Sequence, residues 1–168
     1  LTTLPDTPDR LQQELTLQVA LGAPLIAAKG YAAAEVGRVY TRARELCQQV
    51  GETPQLFPVL RGLATFYSVR ANHQTTYELG EQCLRLAQHE QAPILLLGAY
   101  SELGAALFYL GRFPEALAHW KKGIALYDPQ KHDSHVHFYG YDLRVSCLAG
   151  SATALWLLGY PDQAFKRS

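Results

Sequence analysis

The sequence predicts an all-α chain built as a right-handed superhelical stack of antiparallel helix pairs. Three observations carry that expectation. Helix-start signals recur in which a small polar residue precedes proline, as in Thr7-Pro8-Asp9 and Thr53-Pro54. The segments between them place apolar residues three and four apart, the spacing of one helical stripe. The phrase Gly111-Arg-Phe-Pro-Glu-Ala116 returns as Gly159-Tyr-Pro-Asp-Gln-Ala164, each copy closing one apolar helix and opening another.

Taken in order, the signals predict helices at about 8–22, 32–50, 54–70, 73–90, 93–110, 113–127 and 143–158, with an eighth from about 162. Thr7 and Pro8 start the first helix, because proline fits a first turn whose N–H groups have no intrahelical partner. Residues 15–21 alternate in polarity, but this start signal and the length of the segment favour helix. Gly22 to Gly30, with Pro24 inside, reads as an apolar connection packed against its neighbours. In the second helix Val39, Ala43, Leu46, Cys47 and Val50 form the stripe, flanked by Arg38, Arg42, Arg44 and Glu45. Short connections then oblige successive helices to run antiparallel, giving pairs at about 8–50, 54–90, 93–127 and 143–168 within one repeat domain. Residues 128–142, rich in His and Tyr, form the second irregular stretch.

Composition narrows the functional classes. Fifteen basic side chains balance fifteen acidic ones, so no net field recruits nucleic acid or anionic lipid. No apolar run approaches the ~20 residues of a membrane span, and no secretory leader pattern is present. A cytoplasmic protein is expected. Cys47, Cys83 and Cys147 are odd in number, far apart and without a CxxC pair, which argues against disulfides and zinc and for reduced packing residues. The chain has no methionine, and it stops just after a helix-start signal. Both features predict a piece of a longer protein whose truncated end offers a route to self-association.

The repeat has a recognisable pattern. Tyr100, Leu103, Gly104 and Leu107 fill the W-x2-L-G-x2-Y positions of a tetratricopeptide repeat, Ala116 and Trp120 its A-x3-F positions, and Asp128-Pro129 its closing proline. Gly104 and Ala116 are the expected points of close helix approach. Leu60, Leu63, Ala64 and Tyr67, followed by Thr76 and Gly80, make a weaker copy. Leu148, Ala152, Leu155 and Ala164 make a degenerate one, and the first pair matches only in Tyr40 and Ala43. Units start near 57, 97 and 145, so the periods are about 40 and 48 rather than the ~34 of the standard repeat.

Longer phrases go beyond the generic motif. Glu14-Leu-Thr-Leu-Gln-Val-Ala-Leu-Gly-Ala-Pro-Leu25, Val50-Gly-Glu-Thr-Pro-Gln-Leu-Phe57, Gly123-Ile-Ala-Leu-Tyr-Asp-Pro129 and Ala154-Leu-Trp-Leu-Leu-Gly-Tyr-Pro-Asp-Gln-Ala164 span nearly the whole chain. Together they resemble the C-terminal repeat region of large bacterial signalling proteins, which join a class III adenylate/guanylate cyclase or another output domain to a P-loop ATPase and then to helical repeats. The resemblance implies a non-catalytic, regulatory protein-interaction module whose partner is a protein, either its own ATPase and output domains or a signalling partner. Any ATPase or cyclase chemistry would belong to other domains, since no Walker lysine loop lies between residues 1 and 168. The chain departs from its relatives at Tyr139-Gly-Tyr-Asp-Leu-Arg144, where they tend to read Tyr-Gly-Gln-Asp-Pro-Gly.

Projecting the repeat onto the first helix of each pair predicts a concave wall of Arg61, Thr65 and Ser68, then Ser101, Ala105, Phe108 and Tyr109, then Ala149, Thr153 and Trp156. Cation, hydroxyls and aromatics together suit a groove for an extended peptide or helix. No catalytic residue and no cofactor is expected: a Cys147–His137 pair would lack an orienting group and an oxyanion donor. The alternative is a small-molecule or metal receptor using the 128–142 loop, in which His132, His135 and His137 are the only metal-type cluster. They have neither i,i+4 helical placement nor a cysteine pair.

Overall fold

Thr7 opens the first helix as the start signal requires: its Oγ1 accepts from the Arg10 backbone N–H at 3.4 Å, and Pro8 fills the first turn. A computed structural model describes residues 7–51, 53–131 and 141–167, and every regular element among these is helical. The helices are α1 (Pro8–Lys29), α2 (Ala34–Val50), α3 (Leu56–Val69), α4 (His73–Glu90), α5 (Pro93–Tyr109), α6 (Phe113–Ala125), α7 (Leu143–Leu157) and α8 (Pro161–Phe165), with a 3₁₀ turn at Pro129–Lys131. No helix of the described residues is long and apolar enough to cross a membrane. The chain divides into two compact units between Ala71 and Asn72. The division falls between α3 and α4, within the segment grouped by sequence as the pair 54–90.

One boundary is corrected. The stretch expected to connect the first two helices, residues 22–30, is helical as far as Lys29 and carries Pro24 inside the helix. Proline there forfeits its bond to the Ala20 carbonyl, but both residues are exposed, so the carbonyl is open to solvent rather than buried without a donor. The residues that follow, Leu25, Ile26, Ala27, Ala28 and Lys29, restore helix propensity, and Leu25 and Ile26 are half-buried. The helix ends at Gly30, whose N–H bonds to the Ile26 carbonyl at 2.8 Å.

The first unit closes around Leu15 of α1, Ala43, Leu46 and Cys47 of α2, and Val59 of α3, with Leu11, Val19 and Leu56 packed on their margin. Leu15, Leu46 and Val59 are fully enclosed, and each contributes about 1.5–3 kcal/mol by leaving water. Tyr40 of α2 is wedged between two glycines, Gly22 of α1 and Gly62 of α3, where a Cβ would collide with its ring. Phe66 of α3 lies in the same way over Gly37 of α2. At the rim Arg42 Nε donates to Glu14 Oε1 at 2.7 Å, tying α2 to α1.

The second unit repeats the device. Trp120 of α6 lies between Gly104 of α5 and Gly150 of α7, and its Nε1 donates to the Ser101 carbonyl at 3.3 Å. Leu107, Ala116, Cys147 and Ala154 complete that core. In each unit, then, one aromatic on the second helix of a pair bridges a glycine of its own pair to a glycine of the next. The three thiols are free and buried, and burial pushes Cys147 up to about 11.

Turns repeat as well. After α5 the Gly111 N–H bonds to the Phe108 carbonyl and the Arg112 N–H to Leu107. After α7 Gly159 bonds to Trp156 and Tyr160 to Leu155 in the same pattern. Both glycines take positive φ, 76° and 85°, which closes the helix by a Schellman turn. Ala71 stands at the corresponding place after α3, with φ 59° and its N–H bonded to the Ser68 carbonyl at 3.0 Å. The three turns are about 40 and about 48 residues apart, the periods read from the sequence.

An alanine in the left-handed region carries strain that glycine does not. Ala71→Gly is therefore expected to stabilise the chain, by about 1 kcal/mol, with a rise in the urea midpoint as the readout. An unchanged or lower midpoint would show that the turn is not strained at Ala71.

Candidate functional site

Of the residues projected onto a concave wall, Arg61, Thr65 and Ser68 lie on α3 and are half-buried. The Thr65 hydroxyl donates to the Arg61 carbonyl at 3.1 Å, so part of its polarity is spent inside the helix. Arg61 lies close enough to Tyr40 that its charge opposes the rise that burial imposes on the phenol.

The second unit holds the rest. Ser101 is only 8% exposed and serves the core through its carbonyl, which accepts from Trp120. Phe108 is half-buried, with ring centroids 5.9 Å from Trp120 and 5.3 Å from Phe113. Ser101 and Phe108 are therefore packing residues rather than an open wall. Tyr109 is exposed and stacks on His73 at 4.8 Å, with the rings 14° from parallel. Thr153 is exposed and donates to the Ala149 carbonyl at 3.0 Å.

Thr153 and Trp156 meet at a hollow of about 330 Å³ between α7 and α8, completed by Ala152, Leu157, Ala164 and Phe165. Trp156 is 65% exposed and Phe165 83%. Two large aromatics turned to water beside an exposed leucine form an apolar patch of the kind that marks a contact surface. Trp156 and Thr153 belong to the projected concave set, whereas Leu157 and Phe165 do not. The signal was there: Ala154-Leu-Trp-Leu-Leu158 advances 100° per residue, so its four large side chains cannot all face one core.

A second groove, of about 600 Å³, lies in the first unit between α2 and α3. Arg38, Arg42, Glu45 and Arg70 line it, with Phe66 and Tyr67 beside them. None of these residues belongs to the projected concave set. Phe66 and Tyr67 of α3, with Arg70 just after its end, occupy the face opposite Arg61, Thr65 and Ser68.

Of the described histidines His73, His89 and His119, the last is half-buried beside Tyr100 with ring centroids 5.8 Å apart. Burial holds its pKa below the ordinary 6.5, Lys122 and Arg112 add to the effect, and Glu81 opposes it. The fold thus favours the neutral ring, while the unfolded chain takes up the proton. Stability is expected to fall as pH drops through 6.5 towards the lower folded pKa, and to level off below that. His119→Asn should flatten this part of a urea-midpoint profile, and a slope unchanged in that variant would assign the effect elsewhere. The contribution of Glu14, whose carboxyl the hydrogen bond from Arg42 holds below its ordinary 4.5, is lost only at lower pH.

Among the described residues no three His, Cys, Asp or Glu side chains are grouped to hold a metal ion. His132, His135 and His137 lie outside the described residues, as does most of the 128–142 stretch. No protein-family model matches the chain, and no curated protein matches it.

Proposed function

We propose that the chain is a non-catalytic protein-interaction module: a right-handed stack of tetratricopeptide-like helix pairs that binds a protein partner. The observation that carries this reading is the exposed aromatic hollow at Thr153, Trp156, Leu157 and Phe165. Leaving two such rings in water forgoes stabilisation that burial would provide, and a helix or extended segment laid against them would recover it. The recurring turn supports the stacked-pair reading because it repeats with the periods of the sequence motif, and the glycine–aromatic–glycine wedge supports it because the same device packs a helix pair in each unit.

By the sequence resemblance, the partner is an ATPase or output domain of a bacterial cytoplasmic signalling protein. The mechanism is differential binding: a partner preferring one arrangement of the repeats shifts the attached domains towards it. The test is a titration of the chain with the ATPase domain of its full-length protein, alongside Trp156→Glu and Phe165→Glu variants. Saturable binding weakened in both variants supports the reading. Absence of binding, or binding indifferent to both substitutions, overturns it.

A further inference from the structure

The α2–α3 groove of the first unit has an uneven charge balance in a chain whose total charge is zero. Arg42 is already matched: Nε donates to Glu14 at 2.7 Å, and Nη1 donates to Glu45 at 3.3 Å. Glu35, one turn before Arg38, is engaged by Lys29 at 2.7 Å. Arg70 donates through Nη1 to the Ala32 carbonyl at 3.1 Å, and its guanidinium lies 5.3 Å from the centre of the Phe66 ring. That carbonyl is neutral, so the charge of Arg70 is positioned but not cancelled. Arg38 is exposed and makes no hydrogen bond or ion pair among the described residues, though its charge adds to the hydrogen bond from Lys29 that holds the Glu35 carboxyl below its ordinary value. Arg38, Arg42 and Arg70 against Glu14 and Glu45 therefore leave this wall net positive beside Phe66 and Tyr67, with Arg70 fixed in place.

We infer that this groove binds an acidic peptide segment of a partner protein, its carboxylates paired with Arg38 and Arg70 and its apolar side chains laid against Phe66 and Tyr67. Guanidinium groups suit the task because their fork of donors matches a carboxylate, and Arg42 with Glu14 and Glu45 shows such pairing on the same wall. Holding Arg70 over Phe66 lowers the entropy lost when a ligand arrives. The inference adds a partner chemistry to the interaction-module reading. It concerns a different unit from the Trp156 hollow, so the two fail separately.

The experiment uses the whole chain and a short fluorescein-labelled peptide alternating Glu with Leu and Phe, followed by anisotropy. A control peptide carries Gln in place of Glu. The expected result is saturable binding of the Glu peptide that weakens with added salt, and binding at least about tenfold weaker for the Gln peptide and for Arg38→Glu. Arg38 makes no hydrogen bond or ion pair, and its reversal gives up only a weak, exposed attraction to Glu35, so folding is expected to stay intact, as an essentially unchanged urea midpoint would check. Trp156→Glu should bind the Glu peptide as the parent chain does. No binding, equal affinity for the two peptides, or full affinity in Arg38→Glu overturns the inference. So does equal binding of a short single-stranded DNA, which would mean general attraction of anions.

Discussion

Replacing Trp120 by alanine is expected to remove about 3–5 kcal/mol of stability, the cost of deleting a large enclosed aromatic whose space cannot refill. Several links break at once. The indole lies nearest to both Gly104 on α5 and Gly150 on α7, so its removal opens the contact on each glycine backbone. The Ser101 carbonyl also loses the Nε1 donor. Against a typical net stability of ~5–15 kcal/mol, such a loss would leave the second unit marginal or unfolded. Urea denaturation followed by far-ultraviolet circular dichroism measures it. Trp120→Phe keeps part of the wedge and should lose less. A Trp120→Ala loss below ~1 kcal/mol would show that the indole is not what joins these helices.

Gly62→Ala tests the equivalent wedge in the first unit, and two effects compete there. Alanine is better than glycine inside a helix by about 1 kcal/mol, so an unconstrained site would gain stability. At Gly62 the added Cβ would meet the Tyr40 ring along its edge, and that ring is confined on its other side by Gly22. Overpacking of this kind costs about 1–3 kcal/mol, so the expected outcome is net loss. A double-mutant cycle with Tyr40→Leu separates the effects, because Gly62→Ala should turn neutral or favourable once the ring is gone. If Gly62→Ala stabilises the parent chain, the close approach does not exist.

The same two positions show how far the sequence could be read. Gly104 was legible as a contact point because the tetratricopeptide pattern fixes a glycine there, and Trp120 sits at the large-residue position of the same motif. Gly22, Gly62 and Gly150 were not legible. A lone glycine within a helical run has the same appearance whether it weakens the helix or receives a ring, and only the neighbouring helix distinguishes the two. Pro24 misled for a related reason: proline ends helices on local grounds, whereas here α1 continues to Lys29, packed on α2.

Function divides along the same line. Periodicity, proline-initiated starts and the recurring Gly-x-x-Pro and Gly-x-Pro turns fixed an all-helical chain and the repeat intervals from sequence, because these depend on interactions within a few residues. Trp156 and Thr153 came from projecting those intervals. Phe165 and Leu157 beside them, the burial of Ser101 and Phe108, and the pairing of Arg42 on an α2–α3 wall left net positive were decided by tertiary packing. Exposure and charge balance depend on which helices meet, and residues far apart in the chain settle that.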